Sequence, residues 1–146
     1  MIATNTYLST FIPGTGEIIQ DLLRRSIPVD AVPVLLDGLI VYETKATIQN
    51  IQAIPFFNNS FLLLRTFQHL GAKPIEEMMK KGFKDKKLEE KILKKIQAKE
   101  KSFRIIASQE NQTVSVDTNL LKNWERKIQK LLSFTVHRSK PDLEFW

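Results

Sequence analysis

The stretch Val32-Pro33-Val34-Leu35-Leu36-Asp37-Gly38-Leu39-Ile40-Val41-Tyr42-Glu43-Thr44 decides how the first half of this chain folds. Two runs rich in β-branched and apolar residues flank Asp37-Gly38, a two-residue hairpin signal that suits a type I′ turn with positive φ at both positions. Outward towards the N-terminus, Tyr7 to Ile12 is another β-rich run, closed by the turn signal Pro13-Gly14. A helix then opens at Thr15 or Gly16. It carries Glu17 in its first turn and Arg24 and Arg25 in its last, each on the side the helix dipole favours, and Pro28 forbids its continuation. Ile18, Ile19, Leu22 and Leu23 recur at helical spacing. Outward towards the C-terminus, Ala46 to Ile54 reads as a short helix with Ile48, Ile51 and Ile54 inward. Pro55 and Asn58-Asn59 break it, and Ser60 to Phe67 is a last, very apolar strand. The order is β-α-β-β-α-β, a split βαβ arrangement.

Beyond Phe67 the chain changes character. Gly71 and Pro74 mark a boundary, and Pro74 suits the first turn of a helix through Ile75, Met78 and Met79 that Gly82 ends. Leu88, Ile92, Leu93 and Ile96 form one apolar stripe, with Lys87, Lys91, Lys94, Lys95 and Lys99 mostly off it. Phe103 to Ser108 reads as a strand, residues 109–116 as a polar loop, and Asp117 or Thr118 as the cap of a helix carrying Leu120, Leu121, Trp124, Ile128, Leu131 and Leu132. Phe134 to His137 is extended, and Leu143 to Trp146 is strand-like. The pattern predicts an α+β chain. Residues 1–67 form a ferredoxin-like βαββαβ domain, and residues 68–146 an α/β unit that opens with the basic helical segment 68–101. A strand-like end with no turn after it predicts a fragment of a longer protein, cut near a strand whose edge would favour self-association.

Charge is the first functional signal. Residues 1–67 hold 4 basic and 5 acidic side chains, residues 68–101 hold 11 and 6, and residues 102–146 hold 7 and 5. A basic block beside a near-neutral one fits a polyanionic partner; a lysine-rich solvated helix is the plain alternative. The chain has no cysteine, which excludes disulfides, thiolate zinc sites, iron–sulfur clusters and cysteine nucleophiles. His69 and His137 are its only imidazoles and lie far apart, so no metal site is expected. No apolar run approaches the roughly 20 residues of a membrane span, and the first residues lack the layout of a secretory signal. A cytoplasmic protein with no membrane partner is expected.

Phe103-Arg104-Ile105-Ile106-Ala107-Ser108, then Val114-Ser115-Val116-Asp117, then Lys140-Pro141-Asp142-Leu143-Glu144-Phe145-Trp146, resemble the core of a THUMP domain. The family shows a strand of this type, a polar loop ending in a small hydroxyl residue and an acid, a helix, and a Lys-x-Pro-Asp opening to a further strand. Tyr7-Leu8-Ser9-Thr10-Phe11-Ile12-Pro13-Gly14 resembles the start of THUMP-containing RNA methyltransferases, in which a ferredoxin-like domain precedes the THUMP domain. The resemblance implies that residues 68–146 are a THUMP domain, incomplete at its C-terminus, with its core over 102–146. It further implies an RNA-binding, substrate-recruiting region that contacts the acceptor end of tRNA. Catalysis and S-adenosylmethionine would belong to a domain outside this chain. Two positions depart from the family: Gln109 stands where Arg is frequent after Ala-Ser, which removes one expected phosphate contact, and Asn111 where Gly is frequent.

Arg104, Arg138 and Lys140 flank the matched strands and are the first candidates for RNA contact, followed by Lys91, Lys94, Lys95 and Lys99. His137 is a loop residue or a base-stacking ring, and Trp124 belongs to the helix core. No catalytic residue is expected: Glu76-Glu77 and Glu89-Glu90 read as surface acids. No cofactor site is expected either, since Pro13-Gly14-Thr15-Gly16 lacks the G-x-G-x-x-G spacing. Three other functions compete. One is a protein-interaction or dimerisation module of ferredoxin-like type, another a small metabolite-binding regulatory domain. The third is the THUMP region of a different tRNA-modifying enzyme, a thiouridine synthetase or a pseudouridine synthase.

Overall fold

The computed structural model describes residues 3–96, 99, 101–110 and 112–146. The chain divides into two compact units, the first ending at Leu64 and the second beginning at Arg65.

The first unit runs β1 (Asn5–Thr10), α1 (Gly16–Ser26), β2 (Val34–Leu36), β3 (Leu39–Thr44), α2 (Ile48–Gln52), β4 (Asn59–Leu62). The strands form one antiparallel sheet in the order β2-β3-β1-β4. Because side chains alternate along a strand, the register Tyr7↔Tyr42 puts Tyr7 and Ser9 on the same face as Ile40, Tyr42 and Thr44. On that face Ile19 and Leu23 of α1 and Ile51 of α2 close the core together with Phe11, Ile27 and Ile54. Polar groups buried here are paired: the Ser9 hydroxyl lies 3.0 Å from the Tyr42 hydroxyl and 2.8 Å from that of Ser60, a link across three strands. Burial pushes the Tyr42 phenol above its usual pKa.

Several boundaries differ from the sequence expectation. β4 stops at Leu62 instead of running to Phe67; the Leu63 amide still donates to the Thr6 carbonyl at 2.9 Å, but β1, its one neighbour, begins at Asn5 and offers nothing opposite residues beyond 64. In the hairpin turn only Gly38 takes a positive φ (76°), so the turn is not type I′. The β1–α1 loop packs on it: Asp37 Oδ1 accepts from the Gly14 amide at 3.0 Å, and the Gly38 carbonyl accepts from the Phe11 amide at 3.0 Å. Ile48 is exposed, since α2 is a five-residue helix with one inward face, held by Ile51.

The second unit runs α3 (Pro74–Phe83), α4 (Lys86–Lys95), β5 (Ser102–Ile105), the two-residue pair β6 (Ser108–Gln109) and β7 (Gln112–Thr113), α5 (Thr118–Leu132), β8 (Thr135–Val136) and β9 (Leu143–Phe145). β5 lies between β8 and β9, parallel to both. Phe103 is fully buried at its centre, its ring edge-on to Phe145 at 5.9 Å. Gly82 does not end α3 but lies inside it: a Cβ there would meet the Trp124 ring at 3.3 Å, so the glycine admits α5. Leu93 is exposed, because α4 buries a narrow stripe centred on Ile92.

The burial pattern makes a direct prediction. Ile40→Ala should destabilise the first unit by about 2–5 kcal/mol, and Ile48→Ala by less than about 0.5 kcal/mol, in urea unfolding of the full chain. Equal losses would mean that α2 presents a different face to the sheet.

Candidate nucleic-acid interface

The second unit holds 19 of the 22 basic side chains and 11 of the 16 acids. What matters is how those acids are occupied. Asp85 caps α4, accepting from the Lys87 and Leu88 amides, and pairs with Arg65 Nε at 2.7 Å. Removal from water pushes its carboxyl up, but the Leu88 and Lys87 amides and the Arg65 guanidinium outweigh this and hold it below the usual range. Asp117 caps α5 through the Leu120 amide at 2.9 Å. Glu77 accepts from the Gly71 amide, and Glu76 pairs with Lys73. Glu89, Glu125 and Glu144 each hold one cation, Lys127, Arg138 and Arg104 respectively. The acids are largely consumed in holding the unit together, and among the described residues the exposed Lys80, Lys81, Lys84, Lys86, Lys94, Lys122, Lys130 and Lys140 pair with no carboxylate.

The Lys140-Pro141-Asp142 motif has a structural explanation. Asp142 Oδ2 accepts from the Lys101 amide, the Ser102 amide and the Ser102 hydroxyl at 2.9–3.0 Å, while the Asp142 amide donates back to Ser102 Oγ at 3.0 Å. These donors, the Lys101 amide first, hold the Asp142 carboxyl below its usual pKa. The clip fixes the start of β5 beside the approach to β9. Arg104, one of the first candidates for RNA contact, is also turned inward: it pairs with Glu144, donates Nη1 to the Arg138 carbonyl at 3.0 Å, and its Nε is buried with no partner among the described residues. Its charge joins β5 to β9 and to the loop after β8.

That bond brings the Arg104 side chain to the segment holding Arg138 and Lys140. Arg138 donates Nη2 to Glu125 at 3.0 and 3.3 Å, yet 71% of its side chain remains exposed. Lys140 is exposed, and its backbone amide donates to His137 Nδ1 at 3.2 Å, which orders the loop and leaves the exposed His137 ring outside the core. Lys91, Lys94 and Lys95 lie on a separate helix, α4, and Lys99 beyond it. Lys94 and Lys99 are exposed, while Lys91 and Lys95 have interactions of their own. The sequence reading passed over Lys80, Lys81, Lys84 and Lys86 around the α3–α4 turn, and Lys122, Arg126 and Lys130 on α5, all exposed. The α5 set was recoverable, since it recurs every four residues opposite the apolar stripe.

α5 is seated by two bonds: Trp124 Nε1 donates to the Met79 carbonyl at 3.0 Å, and Lys127 Nζ donates to the Phe83 carbonyl and pairs with Glu89. The Lys127 ammonium also lies 4.5 Å from the centroid of the Phe83 ring. Among the described residues, no helix is long and apolar enough to cross a membrane.

No known family profile matches the sequence, and no curated protein matches it. Among solved structures, the chain is similar in fold to TrmN from Thermus thermophilus, with TM-score 0.64 and 12% identity over 97% of this chain and 41% of that one. It is also similar to PH1313 from Pyrococcus horikoshii Ot3, with TM-score 0.51 and 12% identity over 96% of this chain and 49% of that one. The chain therefore spans less than half the length of either protein.

Two predictions test this arrangement. Lys127→Met should cost about 1–2 kcal/mol in chemical denaturation, because it strands the Phe83 carbonyl and leaves Glu89 unpaired. Asp142→Ala should lower the melting temperature at neutral pH. A carboxylate with a depressed folded pKa stabilises above its unfolded pKa, about 4, and that stabilisation is lost as the pH falls through the lower folded value. The gap between wild type and Asp142→Ala should therefore close as the pH drops below about 4; a gap constant across that range would count against the clip.

Proposed function

We propose that this chain is the N-terminal, RNA-contacting region of a tRNA-modifying enzyme: a ferredoxin-like domain followed by a THUMP domain that grips the acceptor end of tRNA. A catalytic domain outside the chain would carry out the modification, by methyl transfer from S-adenosylmethionine. The observation that carries this reading is the charge arrangement of the second unit, whose acids serve caps, clips and ion pairs while Lys80, Lys81, Lys84, Lys86, Lys94, Lys122, Lys130 and Lys140 are exposed and, among the described residues, paired with none of them. The resemblance in Phe103–Ser108 and Lys140–Trp146 and the fold likeness to TrmN support it. The mechanism is electrostatic recruitment: lysines neutralise phosphates, release counterions and hold the RNA in register for chemistry elsewhere.

A second reading, a protein-interaction or dimerisation module, is favoured by β2. This edge strand exposes Val34 and Leu36, each 58% accessible, on the face of the sheet away from the core.

A tRNA titration at several salt concentrations tests the first reading. Affinity should fall steeply with salt. Arg138→Gln with Lys140→Gln should weaken binding to all tRNAs alike and flatten the salt slope by about one to two units. Arg24→Gln with Arg25→Gln should change it little. Wild-type binding no better than that of a neutral protein would end the RNA reading. Dimers that Val34→Ser and Leu36→Ser dissolve in sedimentation would favour the second.

A further inference from the structure

The outward face of α5 carries Asn119, Lys122, Asn123, Arg126, Gln129 and Lys130, all exposed. It is opposite the face that Trp124 and Ile128 bury. Lys122, Arg126 and Lys130 stand at i, i+4 and i+8, one above the next, about 6 Å apart along the axis. Like charges at this spacing weaken a helix. No intramolecular partner relieves it: among the described residues none of the three makes a side-chain hydrogen bond or ion pair. The helix's one acid, Glu125, is turned aside to Arg138. Only Lys130 gains from the C-terminal end of the helix dipole.

We infer that this ridge is a binding surface for the sugar–phosphate backbone of double-stranded RNA. The inference rests on the RNA reading above and specifies a part of the ligand that reading leaves open. Three cations in a row at a spacing comparable to that of successive phosphates match one strand of a backbone. The amides of Asn119, Asn123 and Gln129 interleave them as neutral donors and acceptors suited to 2′-hydroxyls, the groups a protein reaches across the wide minor groove of an RNA duplex. The face holds no aromatic ring, whereas single strands are held by rings on which their bases stack. A convex, acid-free ridge without stacking platforms therefore fits a stem and not an unpaired tail. An acidic protein surface would match the charge but gives the interleaved amides no role.

Fluorescence anisotropy on the full 146-residue chain tests this, with a blunt RNA duplex and one of its strands as probes. The triple variant Lys122→Gln/Arg126→Gln/Lys130→Gln should lose roughly 10- to 30-fold in duplex affinity near 0.1 M salt, with the salt slope flatter by about two to three units. Its single-strand affinity should change by less than about threefold. Its melting temperature should be no lower than wild type, because the substitutions remove a repulsion. The charge-preserving Lys122→Arg/Lys130→Arg should bind like wild type. Undiminished duplex binding by the triple variant would overturn the ridge and leave the RNA reading standing; equal loss on both RNAs, or equal loss on polyglutamate, would also overturn it. Failure of the wild type to bind either RNA above a neutral protein would remove both together.

Discussion

The second unit depends on one ammonium group. Lys127 Nζ sits where the end of α3, the first turn of α4 and the middle of α5 converge, taking the Phe83 carbonyl and the Glu89 carboxylate while lying against the Phe83 and Trp124 rings. A carbonyl at the end of a helix lacks an intrahelical partner, and a half-buried carboxylate needs a counter-charge; Lys127 answers both. It also fixes the rotation of α5. With Lys127, Trp124 and Ile128 turned inward, Lys122, Arg126 and Lys130 have no direction left but solvent.

The same economy separates two kinds of arginine in the motif region. Arg104 is held on two sides, by Glu144 and by the Arg138 carbonyl, and a planar guanidinium suits this because its fork reaches two acceptors at once. Arg138 touches Glu125 with one nitrogen and keeps most of its surface in water. A motif arginine can thus be held inside the architecture in one strand and left in water in the next loop, and the position of the nearest carboxylate distinguishes the two.

Much of the fold was legible because local signals agreed with the tertiary structure. The Asp37-Gly38 turn, the Thr15–Gly16 helix start, Pro74 at the head of α3 and the Asp117 cap all encode their elements within a few residues. What was not legible depends on partners distant in sequence. Gly82 reads as a helix stop until Trp124, far along the chain, arrives against it. Leu93 and Ile48 fit apolar stripes by spacing, yet short helices bury narrower faces than spacing alone suggests. For the candidate site, the basic character of the second unit was plain in composition. Which cations remain outward was not, because that depends on how caps and ion pairs use the acids, and those partners lie up to 40 residues away, as for Arg104 and Glu144.

The placement of β5 has a consequence for the newborn chain. Both strands that flank it, β8 and β9, are translated after it, and its parallel pairing with them requires the intervening helix as a crossover. On the ribosome, Phe103 therefore emerges before either neighbour: Val136 reaches it first, and its second edge stays bare until Leu143 to Phe145 follow. The first unit needs nothing beyond Leu62 to complete its sheet. Synthesis thus favours a chain whose first unit is closed while its second is still open. Any pause in translation between codons 106 and 142 would prolong the time for which β5 has an unpaired edge, the kind of edge that makes incomplete chains prone to aggregate.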